Sequence, residues 1–193
     1  MAALAFVVVG FRLLWCQHRE ARDLRLFLLV ALATGLYRLT FLMRVVAALA
    51  LDAAHNMQKL YNIDPERIYI AGYSGGGRVA SSLALLYPEV YRGGAFFYGS
   101  NYFRKVEVPK QPGAFWRAAF PAPPKQNLER LRKDHRFVLV TGEHDFNRDE
   151  TEANSREYKR DRFRNVTYIE IPGADHGYGV HGEWLKQVID ALD

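Results

Sequence analysis

The sequence has little of several features that mark particular classes of protein. Its single cysteine, Cys16, excludes an internal disulfide framework and is compatible with a reducing compartment such as the cytoplasm. It contains no internal repeat. Six arginines and two acidic residues lie in residues 1–50, so the rest of the chain contributes only +1 to the net charge of +5. That part lacks the excess positive charge typical of nucleic-acid-binding proteins, and we expect no nucleic acid as a partner.

Residues 1–50 also lack isoleucine, lysine, asparagine, serine and proline. No positive charge precedes their first apolar run, so a secretory signal is not favoured. A membrane-spanning helix is not favoured either. The longest uncharged run in the second apolar stretch is the 12 residues between Arg25 and Arg38, whereas a span needs about 20. We predict a short buried strand at Ala5–Val9 and one or two apolar helices at Leu24–Leu51, with membrane association as the alternative.

The change of composition near residue 50 predicts two parts of the chain. Residues 1–50 are an atypical segment rich in Ala, Arg and Leu, which an altered start or a shifted reading frame could also produce. Residues 51–193 form the second part, in which strands and helices alternate. The predicted strands cover 67–71, 94–98, 137–141 and 166–171, and the predicted helices 45–61, 75–86, 127–133, 147–162 and 182–192. This alternation predicts an α/β fold with a mostly parallel sheet covered by helices on both faces.

One segment, GYSGG at residues 72–76, places a serine among glycines between a predicted strand and a predicted helix. This is the pattern G-x-S-x-G of a nucleophile elbow, in which a tight turn raises the serine hydroxyl above the carboxyl end of the sheet. The turn would expose the hydroxyl of Ser74. It would also direct the N–H groups of Gly75 and Gly76 at negative charge developing on a substrate oxygen. The rival phosphate-binding pattern G-x-x-x-x-G-K-[ST] is absent.

A serine hydroxyl needs a base to become nucleophilic, and the base needs an acid that orients it. In chains with this kind of turn the acid follows the serine in sequence and the histidine comes last. The segment GEHDFNRDE follows the predicted strand at 137–141 and supplies acidic residues at the expected place. We predict Asp145 as the orienting acid, with Glu143 and Asp149 as the alternatives.

The segment PGADHGYG follows the predicted strand at 166–171 and supplies the base. His176 lies in this glycine-bounded loop, which can fold over the serine, and we predict it as the general base. His181 is the alternative, although its place beside the last helix suits a capping role better. His144 is interpreted as a neighbour of the predicted acid that packs locally.

Residues 50–193 resemble the carboxyl-terminal half of an α/β-hydrolase. The segment that carries the resemblance, IDPERIYIAGYSGGGRVASSLALLYPEVYRGGAFFYG, is similar to the esterases grouped around polyhydroxybutyrate depolymerases and feruloyl esterases. The resemblance implies an α/β-hydrolase fold that is shortened at its N-terminal side. It also implies hydrolysis of carboxylic esters through an acyl-enzyme, without a metal or a cofactor.

The resemblance further implies a second oxyanion donor from an early strand-to-helix loop, often marked by His-Gly. Residues 1–50 contain no His-Gly, and the only candidate is VVVGFR, around Gly10 and Phe11. Loss of one oxyanion donor lowers turnover by about 10²–10³-fold. The sequence therefore predicts either a differently built oxyanion site or impaired activity. The alternative function is an inactive or impaired shortened hydrolase that serves, if at all, as a binding module.

Aromatic residues are candidates for the substrate-binding surface. Tyr73 lies beside the predicted nucleophile, and the proline-rich segment 101–126, which we expect to be a long loop, contains Tyr102, Phe103, Phe115 and Trp116. We predict that these side chains wall an apolar acyl or alcohol site. The alternative is that those of the loop only cover the sheet.

Overall fold

The computed structural model describes residues 44–193, and the fold is that of the compact unit Val46–Asp193. The strand predicted at Ala5–Val9, most of the helical stretch predicted at Leu24–Leu51 and the VVVGFR segment lie outside the described residues. These residues begin in a helix, α1, that continues to residue 60. The predicted boundary between residues 50 and 51 falls within α1 and stays a prediction. None of the helices in this part of the chain combines the length and the apolar character that crossing a membrane requires.

After α1 the chain makes a short 3-10 helix at Pro65–Arg67, capped by the side chain of Asp64, and then alternates between strands and helices. The strands are β1 Ile70–Tyr73, β2 Gly93–Phe97, β3 Val106–Glu107, β4 Phe115–Trp116, β5 Arg136–Gly142 and β6 Asn165–Ile171. The remaining helices are α2 Gly75–Leu86, α3 Lys125–Asp134, α4 Arg148–Arg160 and α5 Gly182–Leu192. The predicted elements occur in the predicted order, and α2 and α5 have the predicted bounds, whereas the 3-10 helix and the strands β3 and β4 were not predicted.

Within residues 44–193 the main sheet has four parallel strands in the order β1-β2-β5-β6. Tyr73 at the end of β1 is in register with Phe97 at the end of β2, and Phe97 is in register with Val140 of β5. Because the strands are parallel, the loops that follow β1, β2, β5 and β6 all leave from the same edge of the sheet. Side chains that are far apart in sequence are thereby brought together at this edge.

The sheet is covered on both faces, as the sequence predicts. Along the fully apolar part of β5, Phe137 and Leu139 pack into one core cluster, whereas Val138 and Val140 pack into the other. The first cluster lies against α2 and α4, and the second lies against α5 through Val188. Alternate residues of a strand point to opposite faces, so a strand buried on both faces is apolar almost throughout its length.

The proline-rich segment 101–126 contains more regular structure than a long loop. Val106–Glu107 and Phe115–Trp116 pair as a small antiparallel hairpin, and the segment's last residues already belong to α3. Tyr102 and Phe103 at its start are buried in the first core cluster. The segment is therefore anchored to the body of the fold at its beginning, middle and end.

Candidate active site

Ser74 occupies a strained turn between β1 and α2. Its φ angle is +52°, in a region that residues other than glycine rarely adopt. The turn is held by a hydrogen bond of 2.7 Å from the Ser74 N–H to the carbonyl of Phe97, and by one of 3.2 Å from the Arg78 N–H to the carbonyl of Ser74. Such strain persists only where the surrounding structure imposes it, and it is found most often at functional sites.

Two of the glycines near Ser74 are required by close backbone approach. A Cβ atom at Gly72 would clash with the carbonyl of Gly76, and one at Gly77 would clash with the carbonyl of Gly99. A Cβ atom at Gly75 or Gly76 would meet open space. Strand, turn and helix can therefore come together only because Gly72 and Gly77 lack side chains.

This difference gives a direct test of the turn. We expect Gly72→Ala to lower the free energy of unfolding by about 3 kcal/mol, because the added methyl group overlaps backbone that cannot move independently. Gly76→Ala should change it by no more than about 1 kcal/mol, since its methyl group is unobstructed and alanine favours helix. Urea unfolding of the two variants would measure the difference, and equal stabilities would contradict the geometry.

Three of the predicted site residues lie in one hydrogen-bonded chain. The Nε2 atom of His176 is 2.9 Å from Oγ of Ser74, and its Nδ1 atom is 2.7 Å from Oδ1 of Asp145. A carboxylate can only accept, so the contact with Asp145 assigns the imidazole proton to Nδ1. Nε2 is then left as the acceptor for the hydroxyl proton of Ser74.

Asp145 is held rigidly behind the imidazole. Its side chain is fully buried, its Oδ2 accepts a hydrogen bond of 2.7 Å from the hydroxyl of Thr141, and its Oδ1 accepts one of 3.1 Å from the N–H of Asn147. The two alternative acids lie elsewhere. Glu143 accepts from the exposed N–H of Gly173, and Asp149 lies in the first turn of α4.

Arg78 connects the serine turn to the loop that carries Asp145. Its guanidinium donates to both carboxylate oxygens of Glu150 at the start of α4, and to the Oδ1 atom of Asn147 at 3.1 Å. The pKa of Arg78 is raised by its hydrogen bond to Glu150, with burial acting in the opposite direction. Asn147 in turn donates to the carbonyl of Tyr98 at 2.8 Å. This network fixes the loop after β5 relative to α2.

The first turn of α2 lies next to the serine and provides unpaired donors. Gly75 and Gly76 are the first two residues of the helix, and N–H groups at these positions have no intrahelical acceptor. Both residues are exposed. Their N–H groups and the positive end of the helix dipole favour negative charge at this point.

Three aromatic side chains surround His176. The Tyr73 hydroxyl donates to the carbonyl of His176, and the Tyr98 hydroxyl donates to that of Gly179 at 2.9 Å. Burial raises the pKa of Tyr98 to about 12, so this hydroxyl keeps its proton at neutral pH. The Phe146 ring lies 4.2 Å from the imidazole centroid to centroid, yet Phe146 is 77% exposed. Tyr73 and Tyr98 thus hold the histidine loop, and Phe146 covers one side of the imidazole.

The other predicted pocket residues are placed differently. Tyr102 and Phe103 are buried in the core, and the Tyr102 hydroxyl donates to Asp161 at 2.7 Å, just past the end of α4. Helix α4 starts close to Asp145 and is 13 residues long, so Asp161 at its far end lies about 20 Å from the start of the helix. This burial corrects the expectation that Tyr102 and Phe103 wall a substrate pocket. Trp116 is half-buried against the same core.

Two aromatic residues of the site, Tyr98 and Phe146, were not predicted from the sequence. Phe146 directly follows the predicted acid, and that adjacency is the only sequence signal that could have identified it. Tyr98 ends up beside His176 because β2 lies next to β1 and β5. Within residues 44–193, no three His, Cys, Asp or Glu side chains are grouped so that they could bind a metal ion.

Comparison with solved structures identifies the fold. A SOBER1 variant from Arabidopsis thaliana has a TM-score of 0.50 and 16% identity, over 78% of this chain and 63% of that one. The carboxylesterase EstE1, cloned from a metagenomic library, has a TM-score of 0.48 and 21% identity, over 68% of this chain and 53% of that one. The S-formylglutathione hydrolase FrmB from Staphylococcus aureus has a TM-score of 0.47 and 16% identity, over 78% of this chain and 64% of that one.

The chain spans less than two thirds of the length of each of these proteins. No family model and no curated protein matches the sequence. The likeness to SOBER1 agrees with the parallel sheet and with the helices on both of its faces. The chain therefore has the α/β-hydrolase fold that its sequence predicted.

Proposed function

We propose that the protein is a serine hydrolase that cleaves carboxylic esters, with Ser74 as the nucleophile, His176 as the general base and Asp145 as the orienting acid. The observation that carries the proposal is the continuous hydrogen-bonded chain from the Asp145 carboxylate through the imidazole to the Ser74 hydroxyl. A buried acid, an oriented imidazole and a serine on a strained turn form the arrangement that activates a hydroxyl for acyl transfer.

In the first half of the reaction Ser74 Oγ attacks the ester carbonyl carbon while its proton passes to Nε2 of His176. The tetrahedral intermediate then expels the alcohol, which takes that proton from Nε2. Asp145 stays ionised, and it stabilises the imidazolium that forms between the two proton transfers. The acyl group is left on Ser74 as an ester.

In the second half a water molecule takes the place of the alcohol. His176 removes a proton from the water, which attacks the acyl carbonyl, and the same proton then returns to Ser74 Oγ as the acid product leaves. We propose that the Gly75 and Gly76 N–H groups stabilise the oxyanion in both halves. The impairment predicted from the missing His-Gly loop stays a prediction, because that part of the chain lies outside the described residues.

The aromatic surroundings of His176 support an apolar alcohol portion in the substrate. Nε2 must reach the leaving oxygen, so the alcohol lies beside the imidazole. The exposed Phe146 ring borders this space, and Tyr73, 41% exposed, lies close to the imidazole as well. An aromatic ring in the substrate could stack on Phe146 and remove apolar surface from water.

Phe146→Ala should therefore change substrate preference. We expect its kcat/KM for benzyl acetate to fall about 2- to 10-fold more than its kcat/KM for methyl acetate, because only the former loses a ring–ring contact. The ratio of the two values isolates this effect from any general effect on His176. Phe115→Ala removes an exposed ring on the hairpin and is the matched control. An unchanged ratio in Phe146→Ala would contradict the assignment.

The proposed function is tested by hydrolysis of p-nitrophenyl acetate and p-nitrophenyl butyrate. Wild type and Ser82→Ala, which alters a serine elsewhere on α2, should both release p-nitrophenol well above the buffer rate. Ser74→Ala should not. A folded wild-type protein that is no faster than Ser74→Ala would instead favour the non-catalytic binding module.

A further inference from the structure

A cationic cavity lies at the end of the sheet opposite the candidate active site. It has a volume of about 560 Å³ and is lined by Glu129, Arg132, Lys133, Arg162, Phe163 and Arg164. These residues come from the last turns of α3 and from the link between α4 and β6. They therefore precede the strands β5 and β6, whereas Asp145 and His176 follow them. We call this site the basic cavity.

The basic cavity is lined by four cations and one carboxylate. Across residues 44–193, none of the cations Arg132, Lys133, Arg162 and Arg164 takes part in an ion pair. In the same part of the chain seven other arginines are paired with acidic side chains: Arg67, Arg78, Arg92, Arg104, Arg148, Arg156 and Arg160. Positive charge is thus left uncompensated around the basic cavity.

Helix dipoles account for only part of this charge. Cations in the last turn of a helix interact favourably with its negative end, which accounts for the presence of Arg132 and Lys133 in the last turn of α3. Arg162 and Arg164 follow α4 and are not part of its last turn. The N–H of Arg164 donates to the carbonyl of Arg132 at 2.9 Å, so the backbone fixes these two residues next to each other. Nε of Arg132 is buried without a hydrogen-bond partner among the described residues.

Arg162 is also held in an unfavourable backbone conformation. Its φ angle is +67°. The N–H of Arg162 donates to the carbonyl of Lys159, and the N–H of Phe163 donates to the carbonyl of Tyr158. These two hydrogen bonds form the pattern of a Schellman motif. The position that Arg162 occupies in this motif is usually glycine, because a side chain is strained there. A guanidinium is therefore present where stability alone favours glycine.

We propose that the basic cavity binds a small molecule that carries two or more phosphate charges. Guanidinium groups match phosphate oxygens with two parallel hydrogen bonds, and three arginines line this cavity. The cavity is open to solvent, with Lys133, Arg162 and Arg164 exposed, and its volume of about 560 Å³ can accommodate a small molecule. The proposal does not depend on ester hydrolysis, because the cavity and the active site lie at opposite ends of the strands.

Isothermal titration of the full chain with inorganic tripolyphosphate at fixed ionic strength tests the proposal. We expect saturable binding to wild type, and an affinity about 10-fold weaker in Arg132→Gln, because a charge-assisted hydrogen bond is lost. Arg117→Gln removes the same charge from an exposed position outside the cavity and should bind like wild type. No binding to wild type, or equal losses in both variants, would overturn the proposal.

Arg162→Gly gives a second test in which stability and binding change in opposite directions. Glycine relieves the strain at this position, so the variant should unfold at a higher temperature than wild type. It should nevertheless bind tripolyphosphate about 10-fold more weakly. A variant that is more stable and binds equally well would overturn the role of Arg162.

The phosphate groups could belong to a soluble molecule or to a lipid headgroup. Co-sedimentation with phosphatidylcholine vesicles that contain phosphatidic acid separates the two sources. A soluble ligand is supported if wild type binds tripolyphosphate, Arg132→Gln weakens that binding, and the protein does not sediment with the vesicles. Tripolyphosphate binding together with vesicle sedimentation, the sedimentation being abolished by Arg132→Gln and by Arg162→Gly, supports a lipid headgroup. Sedimentation that both variants retain, together with no tripolyphosphate binding, would overturn the site.

Discussion

Replacing His176 with alanine is expected to lower kcat for p-nitrophenyl acetate by about 10⁵–10⁶-fold, which is the loss seen when a serine hydrolase loses its base. In the proposed mechanism the imidazole is the group that accepts the Ser74 proton, across a contact of 2.9 Å. Without it the hydroxyl must attack with its proton still attached. A fold supported by the core clusters should survive the change, because His176 lies at the surface edge of the sheet and not within either cluster.

His181→Ala is the control for this variant. His181 stacks on Tyr178 with ring centroids 5.1 Å apart and precedes the first residue of α5, so it has no contact with the Ser74 hydroxyl. Its removal should leave kcat near the wild-type value. A larger loss in His181→Ala than in His176→Ala would mean that the wrong histidine has been assigned as the base.

Asp145→Asn is the second variant with a large expected effect, a loss in kcat of about 10⁴-fold. The amide has nearly the shape of the carboxylate, but its NH₂ group cannot accept the Nδ1 proton of His176. The imidazole then favours the tautomer with its proton on Nε2, which cannot accept the Ser74 proton. KM should change much less than kcat, because Asp145 is buried behind the imidazole and does not reach the substrate.

The two alternative acids provide the controls. Glu143→Gln loses the charge that accepts the N–H of Gly173 at 2.8 Å, and Asp149→Asn alters a half-buried residue beside Arg148. Both should retain most of the wild-type kcat. If either variant lost as much activity as Asp145→Asn, the proposed role of Asp145 would be wrong.

The fold was predictable where local signals agree with tertiary packing. Helix α2 begins directly after Ser74 and ends before Pro88, and Gly182 marks the start of α5, so both helices have their predicted bounds. Strand β1 begins three residues later than predicted. The chain just before it forms the 3-10 helix that the Asp64 side chain caps, and this local hydrogen bond competes with strand pairing.

The three residues of the hydrogen-bonded chain were predictable because each follows a recognisable strand or turn. The parallel sheet brings such positions to one edge without any further information. The aromatic surroundings were not predictable in the same way. Tyr102 and Phe103 have the composition of a pocket wall, but they fill the core beside Tyr158. An apolar residue in a loop carries no signal that distinguishes a binding surface from a buried anchor.

The basic cavity could not be predicted from the sequence for a related reason. The net charge of residues 51–193 is close to zero, because their 20 basic and 19 acidic side chains nearly balance. Arg132 is about 30 residues from Arg162 in sequence, and only the packing of α3 against β6 brings the two together. A sum over the chain cannot reveal a local excess of charge.

The most direct test of the proposed function is covalent labelling of the full chain with a fluorophosphonate, followed by mass spectrometry of the modified peptide. Such a reagent reacts with a serine hydroxyl that has been activated by its surroundings. We predict one label per chain, located on Ser74, absent from Ser74→Ala and formed far more slowly in His176→Ala. Absence of labelling, labelling at another residue, or equal labelling of wild type and Ser74→Ala would contradict the account.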